Sequence, residues 1–329
     1  FAVEWPVPGV RPDREGVAFE QRHGTQPLTA REREKREEIR LMQIDREVLQ
    51  LFGLRRNPFL NDVEDDADVF RFRGYERVER ELHEAVKQAA MIAVISESGA
   101  GKTTIWDGVA GELAMRSDVR LCTPRTMSRE RLKPDHLTDA LLYGVLGENT
   151  KIPHSVEARG RRLHLALNDA KRSGVTPVLY IDDAHFCDRT TMRMIKTFYE
   201  TKVGRFRVMA IVLVGLPELQ HKLAVFPEVG NRIRLVEVPP VPVEPYLEFK
   251  FRRVGADLKK VFDAAGLKAF CDRFRAGAGR VAAGRPLEIN AGCIRAMFKL
   301  YDNGAQPGER ITAEIVDALP GGAVRRFAA

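Results

Sequence analysis

The stretch Met91–Trp106, MIAVISESGAGKTTIW, restricts the possible folds more than any other part of the chain. Its apolar run, Met91–Ile95, ends in a polar, glycine-bearing turn and reads as a buried strand. Beyond the turn, apolar Ile105, Val109 and Leu113 recur at helical spacing, predicting a helix over Lys102–Arg116. Strand, glycine loop, Lys-Thr and helix is the order of a phosphate-binding loop. Gly99 and Gly101 let the backbone turn sharply and aim its N–H groups inward as an anion nest. The helix adds its positive N-terminal end. Ser98, Gly99, Ala100, Gly101, Lys102, Thr103 and Thr104 are therefore the candidate nucleotide-binding residues. Lys102 can reach β- and γ-phosphates, and the Thr103 hydroxyl can ligate Mg²⁺. One position departs from the G-x-x-x-x-G-K-[ST] pattern: Ser96 stands at the first glycine, so the turn must tolerate a Cβ.

A second segment strengthens this reading. In PVLYIDDAH, Pro177–His185, the strand Val178–Ile181 ends in two carboxylates. A phosphate-loop ATPase needs an acid at that strand end to hold Mg²⁺. Asp182 fits this role, and Asp183 is positioned to polarise an attacking water. The interval between Lys102 and Asp182 has room for two βα units. Val119–Thr123 reads as a second strand and Val208–Val214 as a further one. Between them, helices are expected at His136–Leu146, Ser155–Arg172 and Thr190–Lys202. Alternating strands and helices imply an α/β fold, a parallel sheet with helices on both faces.

The remaining segments set the expected domains. Residues 1–28 carry Pro6, Pro8, Pro12 and Pro27 without an apolar period and read as an extended arm. Thr29 and Glu32 form a capping box that opens a helix expected from Ala30 to Leu51. An arm and helix (1–52), a nucleotide-binding core (53–240) and a small helical domain (241–329) follow, the last divided off by Pro239, Pro240, Pro242 and Pro245. Its helices are expected at Tyr246–Arg253, Asp263–Arg275, Pro286–Tyr301 and Thr312–Leu319.

At 329 residues, 44% hydrophobic and 30% charged, the chain can bury a sizeable core. No apolar run is long enough to span a membrane, and no secretory leader pattern appears. Cys122, Cys187, Cys271 and Cys293 lack metal or redox spacing, and with the other features they suggest a cytoplasmic protein with reduced thiols. The net charge of +7 permits nucleic-acid binding. The basic stretch after the second strand offers Arg125, Arg129, Arg131 and Lys133 as phosphate contacts, sequence-independent and salt-sensitive. Arg161 and Arg162 are weaker candidates.

The order FGL-x-x-NPF (Phe52–Phe59), SESGAGKTT, YIDDAH, LVGLPEL (Leu213–Leu219), NRI and GRPLEIN (Gly284–Asn290) resembles AAA+ ATPases of the group holding ExeA-like proteins and the MuB- and TnsC-type transposition regulators. The resemblance spans Leu51 to Leu319. It implies ATP and Mg²⁺ as cofactors, a helical lid, and self-assembly into a ring or helical filament on duplex DNA, with a transposase as partner. Asp183 would stand in for the usual catalytic glutamate, one methylene shorter, so hydrolysis would be slow and switch-like. Arg232, or else Arg234, would be the arginine finger that completes a neighbour's site. The lid arginine of the family follows the proline, where this chain has Leu287; Arg285, just before Pro286, is the substitute. The usual polar sensor after the fourth strand is replaced by Gly215 and Leu216. Two other readings are an ExeA-like secretion or envelope-assembly ATPase and an ATP-binding scaffold with negligible turnover.

Overall fold

A computed structural model describes residues 44–60, 66–125, 132–275 and 284–320. The chain divides into two units, Phe1–Asp45 and Arg46–Ala329. Of the first only Ile44 and Asp45 are described, and neither is helical. Of the expected Ala30–Leu51 helix the structure shows α1, Arg46–Leu51; the expectation is corrected at Ile44 and Asp45, and residues 30–43 lie outside the described residues.

The second unit continues with α2 (Arg73–Lys87), β1 (Met91–Ile95), α3 (Lys102–Ala114), β2 (Val119–Cys122), α4 (Pro134–Leu146), α5 (Val156–Arg172) and β3 (Thr176–Ile181). Next come α6 (Arg189–Glu200), β4 (Lys202–Val203), β5 (Phe206–Arg207), β6 (Ala210–Gly215), α7 (Glu218–Val225), α8 (Pro227–Gly230) and β7 (Ile233–Glu237). The helical remainder is α9 (Val243–Arg253), α10 (Leu258–Val261), α11 (Ala264–Phe274), α12 (Pro286–Asp302) and α13 (Ala313–Asp317).

Five strands form one parallel sheet in the order β2-β3-β6-β1-β7. The central strands are buried along almost their whole length, as parallel strands covered on both faces must be. Alternate residues separate the faces: Met91, Ala93 and Ile95 join Leu137, Leu141, Leu163, Ile195 and Leu219 in one core. Helices α2 and α3 pack together as a neighbouring pair on the sheet.

Two expectations are corrected. The interval from α3 to β3 holds one strand and two consecutive helices, not two βα units. The sheet also does not end with the Val208–Val214 run, because β7 adds a fifth strand beside β1. Arg232 precedes that last strand and Arg234 lies within it. Strand β7 buries only Val236 fully, the pattern of an edge strand. The hairpin β4–β5 was likewise not expected.

The C-terminal helices pack against segments that precede the sheet. Helix α1 packs on α12, where the Tyr301 hydroxyl donates to Glu47. Phe59 of the NPF segment meets Phe251 of α9 edge-on at 5.7 Å. Lys250 of α9 is 7% exposed. Its burial pushes the ammonium down to about 8; Arg253 adds to the effect and Asp68 opposes it.

The folded-state value lies below the unfolded one, so between about 8 and 10.5 the unfolded chain keeps a proton that the fold has lost. Stability contributed by this group therefore rises with pH across that window. Lys250→Met should remove the rise and stabilise the protein at pH 7 by up to about 3 kcal/mol. Urea unfolding of both proteins at several pH values checks this by difference.

Candidate functional site

The loop Ser96–Gly101 connects the C-terminal end of β1 to α3. Its two glycines have φ of 76° at Gly99 and 89° at Gly101, the left-handed region that glycine enters without strain. Space is equally restrictive. A Cβ on Gly99 would lie 2.4 Å from Leu287 Cβ, and one on Gly101 would lie 2.5 Å from the Tyr75 hydroxyl oxygen. Tyr75 donates to the Ala100 carbonyl at 2.6 Å, and the Leu287 N–H donates to the Gly99 carbonyl at 3.2 Å. With those carbonyls engaged outward, the intervening N–H groups are left to face the cradle. Burial raises the Tyr75 hydroxyl's pKa, so it remains a donor at any working pH.

Lys102 opens α3, and its Nζ donates to the carbonyls of Ser96 at 2.7 Å and Glu97 at 2.8 Å. Burial lowers its pKa, while Asp182, Asp183 and Glu97 pull it back up and Arg285 adds to the lowering. Thr103 is exposed beside it, and Thr104 is half-buried. Asp182 and Asp183 leave the end of β3. The Asp183 N–H donates to Asp182 Oδ1 at 2.9 Å, and Asp183 itself takes φ 50°. A non-glycine residue in that region is strained and marks sites where geometry outweighs comfort. Trp106 and Tyr180 stack at 4.1 Å and 1°, fixing α3 against β3 and hence Lys102 against the two acids.

The residues fit a nucleoside triphosphate and a divalent ion. The cradle excludes side chains at both glycines, carries a lysine at its rim, and faces two carboxylates. No group of three or more His, Cys, Asp or Glu that could hold a metal occurs among the described residues. An ion here would depend on Thr103, Asp182 and phosphate oxygens.

Other expected residues are spread more widely. Arg285 of the lid segment does reach the loop, with Nη1 3.4 Å from the Ser98 carbonyl and 3.8 Å from Glu97 Oε2. Arg232 pairs with Glu200 at the end of α6, and Arg234 with Glu81 at 2.6 Å. Arg125 forks onto Glu148 with bonds of 2.9 and 2.8 Å, and Lys133 is the exposed N-cap of α4. Arg129 and Arg131 lie outside the described residues. Arg162 is half-buried, with Nη1 donating to the Lys151 carbonyl at 2.6 Å, whereas Arg161 is exposed.

Sequence reasoning missed several members of this site. Tyr75 carries no motif. Asp107 lies one helical turn beyond Thr103, and its carboxyl pKa is raised by burial and by Asp182. His185 occupies the neighbourhood of the missing polar sensor: its Nδ1 accepts from the Leu216 N–H at 3.4 Å. The YIDDAH segment contained His185, but only the two strands' proximity gives it a partner.

Residues 83–223 match the family model described as an AAA domain. No curated protein sequence matches the chain. Among solved structures, Cdc6p of Pyrobaculum aerophilum is similar at 13% identity and TM-score 0.51, over 75% of this chain and 66% of that one. The Drosophila ORC bound to DNA is similar at 16% identity and TM-score 0.53, over 87% and 72%. The Aeropyrum pernix ORC1 protein in complex with DNA gives 17% and 0.50, over 80% and 68%. At such identities the likeness shows the fold, an AAA+ phosphate-loop sheet with a helical C-terminal part. Among the described residues no helix is long and apolar enough to cross a membrane.

The clamp on the phosphate loop can be tested directly. Tyr75→Phe leaves the Ala100 carbonyl unpaired and should weaken nucleotide binding about fivefold, at about 1 kcal/mol. Gly101→Ala combines a left-handed φ with a clash and should weaken it more than tenfold, an effect of roughly 1.4 kcal/mol or more. Adding Tyr75→Phe to Gly101→Ala removes the 2.5 Å contact and should restore part of the loss. Titration with a fluorescent ATP analogue measures all three.

Proposed function

We propose that this protein is an ATP-dependent, sequence-nonspecific DNA-binding AAA+ ATPase that oligomerises on target DNA and recruits or stimulates a transposase. The observation that carries the reading is the contact of the lid with the phosphate loop. Leu287 and Arg285 at the start of α12 bond to Gly99 and Ser98, so whatever fills the cradle also sets the position of the helical domain. That is the arrangement of a nucleotide-gated switch.

Bound MgATP supplies the γ-phosphoryl group and a metal that offsets its charge. Lys102 exchanges its two carbonyl partners for phosphate oxygens, and the loop N–H groups hold the phosphate chain. Thr103 and Asp182 would hold the metal. Asp183 orients the attacking water and accepts its proton. Arg232 of an adjoining subunit neutralises developing charge, leaving Glu200 to do so. The Arg232–Glu200 pair is 41% and 45% exposed, and exposed pairs of this kind are weak enough to exchange.

DNA binding is supported by the net charge of +7, by the basic residues after β2, and by the shared fold of the DNA-bound ORC structures. Arg125 would exchange Glu148 for a phosphate. The transposase, as opposed to another DNA-bound client, rests on the order of motifs from Phe52 to Asn290. The short Asp183 side chain also favours a second reading, an ATP-binding scaffold with negligible turnover.

Duplex-DNA binding with ATP, with ADP and without nucleotide, at two salt concentrations and with particle size recorded, tests the proposal. Large DNA-bound particles should form with ATP alone. Changing Arg125, Arg129 and Arg131 together to Ala should lower the salt slope by about 2 to 3. Tight ATP binding with no DNA association would overturn the DNA reading. For the finger, Arg232→Ala and Lys102→Ala should each abolish turnover, and mixing the two proteins should recover part of it. No recovery would rule out an arginine acting between subunits.

A further inference from the structure

The connection from α6 to β6 lies at the N-terminal edge of the parallel sheet, opposite the phosphate loop and the residues after β2. There the chain makes a tight hairpin in which Lys202 pairs with Arg207 and Val203 with Phe206. Gly204 turns it with φ 60°, and Arg205 completes the two-residue loop. Cross-strand pairing puts Val203 and Phe206 on one face and Lys202 and Arg207 on the other.

The hairpin is anchored at its base and bare at its tip. Arg207 lies over the buried Tyr199 ring at 4.1 Å. Phe206, by contrast, is 68% exposed. Lys171, in the last turn of α5, stands over its ring with Nζ 5.7 Å from the centroid, and Arg172 follows. Lys202 on the hairpin's other face, Arg205 in its turn and Arg172 after Lys171 are exposed as well. Of the carboxylates before the hairpin, Glu200 pairs with Arg232 and also feels the Lys202 charge.

A lone exposed aromatic needs no explanation. An exposed ring on a tight turn, with Lys171 over it and further cations on the same connection, has a specific chemistry. The cations attract phosphates, and the ring offers its flat surface to a base, the combination that holds single strands without reading their sequence. Duplex DNA keeps its bases stacked away from such a ring.

We infer that the β4–β5 hairpin, with Phe206 as a stacking platform and Lys171, Lys202 and Arg205 as phosphate contacts, binds a nucleic-acid strand with unpaired bases. This rests on the DNA-binding reading and adds to it a second surface, at the opposite end of the sheet, with a different preferred form of DNA.

The test is anisotropy of labelled oligothymidylate and of a labelled duplex, titrated with the full chain at several salt concentrations. Phe206→Leu keeps an exposed apolar side chain and so leaves folding intact. It should weaken oligothymidylate binding roughly tenfold with the salt slope unchanged, and weaken duplex binding far less. Lys202→Ala with Arg205→Ala should lower the oligothymidylate slope by about 1.4. If wild type binds DNA and both variants bind oligothymidylate as tightly, the hairpin inference falls and the DNA reading stands. If wild type binds neither DNA, both fall. Variants that change particle size but not DNA affinity would make the hairpin a protein contact and overturn the inference.

Discussion

The structure depends on how one short loop is held. An anion cradle needs its N–H groups pointing inward, and the backbone achieves this only if its carbonyls find partners facing away. Tyr75 supplies a partner for Ala100, and the Leu287 N–H supplies one for Gly99. The first comes from the helix before β1, the second from the start of the lid helix. Both press so close that a Cβ at either glycine would collide with them. Glycine is thus required here twice, by torsion and by volume. Ser96 is tolerated at the first motif position because its φ is not positive, so a Cβ brings no backbone strain there.

That clamp relates the rest of the fold to the cradle. Helix α3 is aligned by its buried face and by the Trp106–Tyr180 stack, which carries the position of Lys102 to the strand bearing Asp182 and Asp183. Strand β3 continues into a short turn whose His185 and Cys187 carbonyls both accept from Lys222 of α7. His185 in turn accepts from Leu216 at the end of β6. The ends of two adjacent strands are therefore tied by side chains reaching across, where the sequence lacks a polar sensor.

Much of this was legible in the chain because it depends on local pattern. Apolar runs with polar punctuation located β1, β3 and β6, and helical spacing located α3 to α6 and the lid helices. What escaped notice depends on distant contact or on weak burial. Strand β7 reads I-R-L-V-E, and as an edge strand it exposes most of what it carries. The hairpin's strands are two residues each, too short for any period. The two helices between β2 and β3 were legible from their own helical spacing, separated around Gly147–Pro153. Tyr75 meets Ala100 across 25 positions of sequence, and no local signal reports such a contact.

The arginines show the same limit from the side of charge. Arg232, Arg234 and Arg125 each carry a carboxylate partner within the subunit, which composition alone would never show. A cation in an exposed pair is held loosely, because water screens the attraction and two long side chains lose freedom to maintain it. Such a pair therefore adds little to the stability of the fold. Arg285 differs: it is mostly buried, flanked by Glu97 and Glu288, and lies against the loop itself. Its setting is fixed by the fold, whereas the other three arginines are held only by exposed pairs at the surface.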